Sequence, residues 1–292
     1  MKFQPFRLES PLGGSILGDF RIPATRVSDS AVVVVHGFKG FKDWGFFPFL
    51  CEKLVEAGHI VVSFDFSHNG VVAGEFRDLE SFARNTITRE LEELNHVLGC
   101  VSDGSVTGEP LPRLGLLGHS RGGADAVLAA AKNPLVRALV TWGALDHLDR
   151  WTDETVQVWR RDGVIHVVNQ RTGQELPLST ELMEDVLSNR ERLDPLRAAR
   201  SVQAPWLVIH GRDDMTIPSV EGERLAQASS CASLKVLEGT GHTFGAVHPF
   251  QGTTPALDTA IEFSIRHFGA HLRRVPPSEE TPAEKASGCS SP

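Results

Sequence analysis

The chain has 292 residues, 29 Lys and Arg against 37 Asp and Glu, and a net charge of −8. That length can bury a substantial core, while the acidity leaves no basic footprint for nucleic acid. Four cysteines (Cys51, Cys100, Cys231, Cys289) without paired spacing, no apolar run near the roughly 20 residues that span a bilayer, and no signal-peptide core at the start argue against a disulfide framework and a membrane, and predict a cytoplasmic protein.

Residues 3–9 and 15–22 alternate polar and apolar side chains around Pro11 and Gly13-Gly14, which predicts an opening hairpin. Residues 32–35, all valine, predict a central strand covered on both faces. A helix near 47–57 and a buried strand at 59–66 follow. Residues 79–98 read as one amphipathic helix with Ile87, Leu91, Leu94 and Leu98 on one face. In 114–131, LGLLGHSRGGADAVLAAA, a buried strand breaks at Gly118-His119-Ser120-Arg121-Gly122 and a strong helix former follows. Residues 138–142 predict another buried strand.

Residues 146–203 then read as a cap inserted into the core. Within them 155–159 and 164–168 flank Asp162-Gly163, a hairpin signal, and Arg171-Thr172-Gly173 marks a further turn. Ser179 opens a short helix with Leu182, Met183, Val186 and Leu187, and Asp194-Pro195 starts one more. The apolar run in APWLVIHGRDDMTIP (204–218) predicts a strand buried on both faces, 234–237 a short strand, and 253–272 the closing helix. The tail 274–292, rich in Pro, Ser and Glu, is expected to be disordered. The fold class implied is α/β: a mostly parallel sheet flanked by helices, with a core of 1–145 and 204–273.

The chemistry starts at Ser120. A serine on a sharp strand-to-helix turn has its Oγ pushed clear of the backbone, and Gly118 and Gly122 permit the close crossing. G-x-S-x-G alone is a weak motif, so the flanking strand and helix carry the argument. A serine hydroxyl is a poor nucleophile until an imidazole takes its proton, and the imidazole needs a carboxylate to fix its tautomer. The loop after 204–211 offers Asp213 and Asp214, and Asp146, just past 138–142, is a third candidate. His242 in GTGHTFG follows the last strand, with His248 as the alternative base. Reactive groups collect beyond the carboxyl ends of strands in an open parallel sheet, so these ends converge. The oxyanion would take the backbone N–H of Arg121 and that of Phe38, in AVVVVHGFKGFKDWGF.

Trp142, Trp151 and Trp159 either wall an aryl or acyl pocket or seal cap to core, sealing being the expectation for Trp159. His36 and His210 read as structural, His119 as packing beside the nucleophile, and Lys39, Lys42 and Asp43 as a solvated charged loop. No HExxH and no Cys/His ligand spacing occurs, so neither a metal nor any other cofactor is expected.

On HGFKG, GHSRG, HGRDD-x-x-IP and GTGHTFG the chain resembles the α/β-hydrolase family over roughly 31–273. In detail it is similar to the branch holding dienelactone hydrolases, cinnamoyl/feruloyl esterases and the catalytic domains of acylaminoacyl-type peptidases. Matching HGRDDMTIP to that branch's HG-x-x-D-x-x-V/I-P implies Asp214 as the acid. Dienelactone hydrolases proper use a cysteine where Ser120 stands, which favours ordinary esters or amides over lactones. The resemblance implies a serine hydrolase, a carboxylesterase acting on small to medium acyl or aryl esters through an acyl-enzyme and a Ser120–Asp214–His242 catalytic triad. An acylaminoacyl or dipeptidyl-type peptidase and a thioesterase are alternatives, the first disfavoured because such peptidases generally carry a propeller in front. A non-catalytic binding scaffold of the same fold is a different class, against which the complete set of triad residue types argues. The partner expected is a small-molecule ester, with no nucleic acid and no membrane.

Overall fold

The computed structural model describes residues 2–26 and 29–272; the tail expected to be disordered, 274–292, lies outside them. In chain order the elements are β1 (Lys2–Glu9), β2 (Ser15–Ile22), β3 (Ser30–Val35), α1 (Phe47–Glu56), β4 (Ile60–Asp65), β5 (Val71–Val72), β6 (Glu75–Phe76), α2 (Leu79–Ala83), α3 (Ile87–Ser102), β7 (Arg113–His119), α4 (Arg121–Ala130) and β8 (Val136–Trp142). They continue with α5 (Asp153–Asp162), β9 (Val164–Val168), β10 (Glu175–Ser179), α6 (Thr180–Ser188), α7 (Pro195–Ala199), β11 (Trp206–Gly211), α8 (Ser219–Ala228), β12 (Ala232–Leu237) and α9 (Pro255–His271).

Eight strands make one sheet in the order β1-β2-β4-β3-β7-β8-β11-β12. The pairs β1/β2 and β2/β4 are antiparallel and every later pair is parallel. The valine run explains why β3 sits centrally. Val32 and Val34 pack on one face with Leu50 of α1 and Phe268 of α9, while Val33 and Val35 pack on the other with Leu94 of α3 and Val127 of α4. A strand apolar on both faces is stable only between two helical layers. Among the described residues no helix is long and apolar enough to cross a membrane, and Cys51, Cys100 and Cys231 are free thiols.

Two expectations are corrected. The helix expected over 79–98 is two helices, because Thr86 leaves the helical region (φ −132°, ψ 157°) and its side chain accepts the Arg89 N–H as an N-cap. Such a cap contributes about 1 kcal/mol, and Asn85 beside it donates to Glu90 Oε1 at 2.7 Å. The apolar face survives: Ile87, Leu91, Leu94 and Leu98 are all buried.

Residues 155–159, expected as a strand, lie within α5. Thr152 caps that helix through the Thr155 N–H, Asp153 and Glu154 fall in its first turn, Arg160 and Arg161 in its last, and Gly163 ends it at φ 76°. Only Trp159 is buried on it, so the alternation of its valines has no sheet face to cover. The hairpin is β9 with β10, closed by the Arg171-Thr172-Gly173 turn. Trp159, Leu176, Leu182 and Met183 of segment 146–203 belong to the same core cluster as α3 and α4.

Burial pushes the pKa values of His36, His59 and His267 down to about 4 and that of His119 to about 3. These imidazoles are neutral in the fold and charge near 6.5 once unfolded. Between those values the unfolded chain binds more protons, so their stabilisation is present above about pH 6.5 and lost as pH falls toward 4. Asp65, pushed up by burial to about 7, opposes them, its contribution fading as pH rises toward 7. Buried Asp125, also pushed up, opposes them in the same way, but four bases outweigh two acids. The expected Tm is therefore lower at pH 5 than at pH 7, with a net uptake of protons on unfolding at pH 5. Calorimetry in buffers of different ionisation enthalpy counts them, and a Tm flat from pH 5 to 7 would show these imidazoles charged in the fold.

Candidate active site

Ser120 joins β7 to α4 with φ 58° and ψ −124°, a left-handed backbone for a residue other than glycine. Such strain costs about 1–3 kcal/mol and persists only where the surroundings enforce it. Here they do. A Cβ on Gly118 would lie 2.1 Å from Gly122 O, and one on Gly122 would lie 2.2 Å from His36 O. Strand, turn and the end of β3 are in backbone contact, and the Ser120 N–H is taken by Trp142 O at 2.8 Å. The hydroxyl makes no cap bond to its own helix.

Gly37 brings the loop after β3 against this turn, since a Cβ there would sit 2.9 Å from Ser120 Cβ and 3.3 Å from Arg121 N. Neither the Phe38 nor the Arg121 backbone N–H has a protein acceptor among the described residues. The Arg121 side chain couples the two segments. Its guanidinium lies 4.4 Å from the centre of the Phe38 ring and donates to buried Glu90 Oε1 at 2.6 Å. Asp125, one turn along α4, has its pKa pushed well up by burial and by Glu90, so Arg121 faces a single carboxylate charge.

Asp214 is buried just beyond β11 and its Oδ2 accepts from His242 Nδ1 at 2.7 Å. Its Oδ1 accepts the Thr216 and Ile217 N–H groups, each at 2.8 Å. His210 Nε2 donates to Ile217 O at 2.9 Å and lies 3.4 Å from Asp214 Oδ2. Burial alone would raise the Asp214 pKa, but the contacts from His210 and His242 and the Ile217 amide outweigh it and hold the carboxyl well below the usual range. The proton on His242 Nδ1 leaves Nε2 as an acceptor. His119 donates from Nε2 to the His242 carbonyl at 2.9 Å, fixing the loop, and burial followed by the nearby His242 keeps its own imidazole neutral.

Ser120 and His242 line one cavity of about 500 Å³ together with Phe38, Lys39, Trp44 and Phe47. The remaining candidates sit elsewhere. Asp213 is exposed beside Asp214 and uses its N–H on Thr240 O. Asp146 is buried against His147 and Arg224, next to a Glu221 held by Arg150. His248 lines the cavity, but its Nδ1 accepts the Gly45 N–H at 2.9 Å and its ring stacks on Trp44. His36 is buried with Nδ1 2.9 Å from Gly37 O. Lys42 pairs with Asp19 and Asp43.

The tryptophans stand away from this cavity. None of Trp142, Trp151 and Trp159 is among the residues of the cavity wall. Trp142 is fully buried, donating to Ser264 Oγ at 3.0 Å between Phe46 and Phe244, because its position on β8 faces the layer of α9. Trp159 donates to Leu178 O at 2.9 Å and packs edge-on against Trp151. Residues the pattern did not single out, Asn169 and Gln170, complete the wall with Arg171 from the β9–β10 turn. Their only signal was the turn at 171–173, which does not say where the hairpin points.

The profile of the Alpha/beta hydrolase family matches residues 32–256, and the chain belongs to that family. An uncharacterized 31.7 kDa protein of the traX-finO intergenic region of Escherichia coli is 22% identical over 250 residues, covering 75% of this chain and 84% of that one. Est1E from Butyrivibrio proteoclasticus, solved with ferulic acid bound, superposes with a TM-score of 0.68 at 16% identity, over 90% of this chain and 99% of its own. Dienelactone hydrolase from Anabaena variabilis superposes with a TM-score of 0.62 at 18% identity, over 94% of this chain and 100% of its own.

Proposed function

We propose that the protein is a serine hydrolase, a carboxylesterase that cleaves small to medium acyl or aryl esters through an acyl-enzyme. The observation that carries this reading is the buried Asp214–His242 pair at 2.7 Å, with His242 and the strained Ser120 on the wall of one cavity. His242 Nε2 takes the Ser120 proton as Oγ forms a bond to the ester carbonyl carbon. The oxyanion is held by the Phe38 and Arg121 N–H groups, each typically worth about 3 kcal/mol in such sites. The C–O bond to the alcohol breaks as His242 returns the proton to it. Water, deprotonated by the same imidazole, then cleaves the acyl-serine and restores the hydroxyl. Asp214 stays ionised throughout and holds the proton of His242 on Nδ1.

Segment 146–203 acts in this scheme as the cap, its hairpin turn supplying Asn169, Gln170 and Arg171 to the cavity wall. The three free thiols accord with a cytoplasmic setting. The likeness to the esterase domain of a Rhodothermus marinus protein, and to Est1E with ferulic acid bound, supports esters as the first substrates to try. The test is intact-mass analysis after exposure to a fluorophosphonate, with the modified peptide sequenced and a panel of 4-nitrophenyl esters, acyl thioesters and aminoacyl anilides assayed beside it. One adduct on Ser120 and fastest turnover of the oxygen esters are expected. No adduct and no hydrolysis would leave a binding scaffold.

A further inference from the structure

In a chain with 37 acidic and 29 basic residues, the cavity wall around Ser120 and His242 has no Asp or Glu among the described residues. It has two full cations, Lys39 and Arg171. Several exposed arginines meet carboxylates, as Arg77 meets Glu75, Arg160 meets Glu184 and Arg190 meets Asp149, while exposed Arg137 and Arg200 do not among the described residues, so what marks Lys39 and Arg171 is their place on one cavity wall without an acid. Lys39 and Arg171 have no carboxylate partner among the described residues.

The Lys39 side chain and the backbone that carries Arg171 are held in place, while the Arg171 side chain is exposed. Lys39 is half-buried with a left-handed backbone (φ 58°), its Nζ 5.7 Å from the Phe38 ring centre and donating to Val168 O at 3.3 Å. That bond ties the oxyanion loop to the hairpin bearing Arg171. The turn itself is stiff: Asn169 Oδ1 accepts the Arg171 N–H at 3.2 Å, and Asn169 O accepts from Thr172 and Gly173 at 3.1 and 2.8 Å. The field of Arg171 reaches the cavity, where after burial it is the second influence lowering the pKa of His248.

Lys39, partly desolvated and without a counter-charge, is unfavourable until an anion arrives, and the exposed Arg171 on the same wall has its side-chain donors uncommitted among the described residues. Resting on the hydrolase reading above, we infer that Lys39 and Arg171 form an anion subsite, and that the substrate is an ester bearing a carboxylate on the part remote from the scissile bond. Arg171 is the main anchor, because its planar fork matches a carboxylate bidentately while Lys39 already commits one donor to Val168. Trp44, Phe47 and Val247 on the same wall suit an apolar stretch between carboxylate and ester.

The experiment compares kcat/KM for the 4-nitrophenyl monoester of adipic acid with that for its neutral methyl ester. The ratio of acid to neutral ester is expected to exceed one, to fall about fivefold to tenfold in Arg171→Gln and in Lys39→Gln, and to fall further in Arg171→Glu and at high salt. A ratio unmoved by all three substitutions overturns the subsite. Binding is measured separately by titrating Ser120→Ala with monomethyl adipate, and adding Arg171→Gln should abolish the signal. Cation-dependent binding with no Ser120 adduct and no turnover would sink the hydrolase reading and leave the subsite standing. Turnover with neither a ratio change nor cation-dependent binding would do the reverse.

Discussion

Replacing Ser120 with Ala is expected to lower turnover of an activated ester by about 10⁴-fold or more, with the melting temperature unchanged. The two halves of that result have separate physical causes. The Oγ makes no cap bond to α4, so its removal leaves no buried partner unsatisfied. Alanine also has a Cβ, so the left-handed backbone at φ 58° is strained to a similar degree before and after the change. In the proposed mechanism the chemistry, by contrast, loses the atom that would form the acyl bond, and what would remain is water attacking a carbonyl polarised by two amide donors. Nucleophile and base act as a unit, so adding His242→Ala to Ser120→Ala should cost little more. A Ser120→Ala enzyme that kept a tenth of its activity would place the nucleophile elsewhere.

The parts of this architecture that were legible from the chain are those whose cause is local. Four consecutive valines can be satisfied only between two helical layers, so β3 declared itself. The turn at Ser120 was equally plain, because its two glycines mark a close crossing: a Cβ on Gly118 would lie 2.1 Å from Gly122 O and one on Gly122 2.2 Å from His36 O. What failed was the weighing of capping against periodicity. Thr86 breaks a helix whose apolar face runs on unbroken, and Thr152 with Gly163 frames a helix across a run of β-branched residues. The cavity wall lay outside any local pattern. Arg171 joins Ser120 on one cavity wall from a hairpin far along the chain, and Arg121 meets Glu90 and the Phe38 ring only because α3, α4 and the loop after β3 stack there. Trp142 misled because position in sequence beside a strand end does not reveal which face of the sheet a side chain takes.

Asp214→Asn is the second large effect expected, lowering kcat about 10⁴-fold with KM little changed. The reason is the tautomer. An asparagine oxygen at the Oδ1 position can still accept the Thr216 and Ile217 N–H groups, each at 2.8 Å, and that choice turns its NH₂ toward His242 Nδ1. The imidazole must then carry its proton on Nε2, where it cannot take one from serine, and the cation formed on catalysis loses its counter-charge. Stability has its own signature. The Asp214 carboxyl is held below the ordinary range, so its ionised form stabilises the fold above about pH 4 and that contribution is lost as pH falls further; Asp214→Asn forfeits it at neutral pH. The neighbours provide the contrast. Asp213 is exposed and contributes only its backbone N–H to Thr240, so Asp213→Asn should stay within about twofold of wild type. Asp146→Asn breaks the contacts to Arg224 and His147 and should lower the melting temperature while sparing kcat. Steady-state kinetics on the three variants decides among the carboxylates, because a kcat loss for Asp146→Asn exceeding that for Asp214→Asn would mean the imidazole takes its orientation from β8 instead of β11.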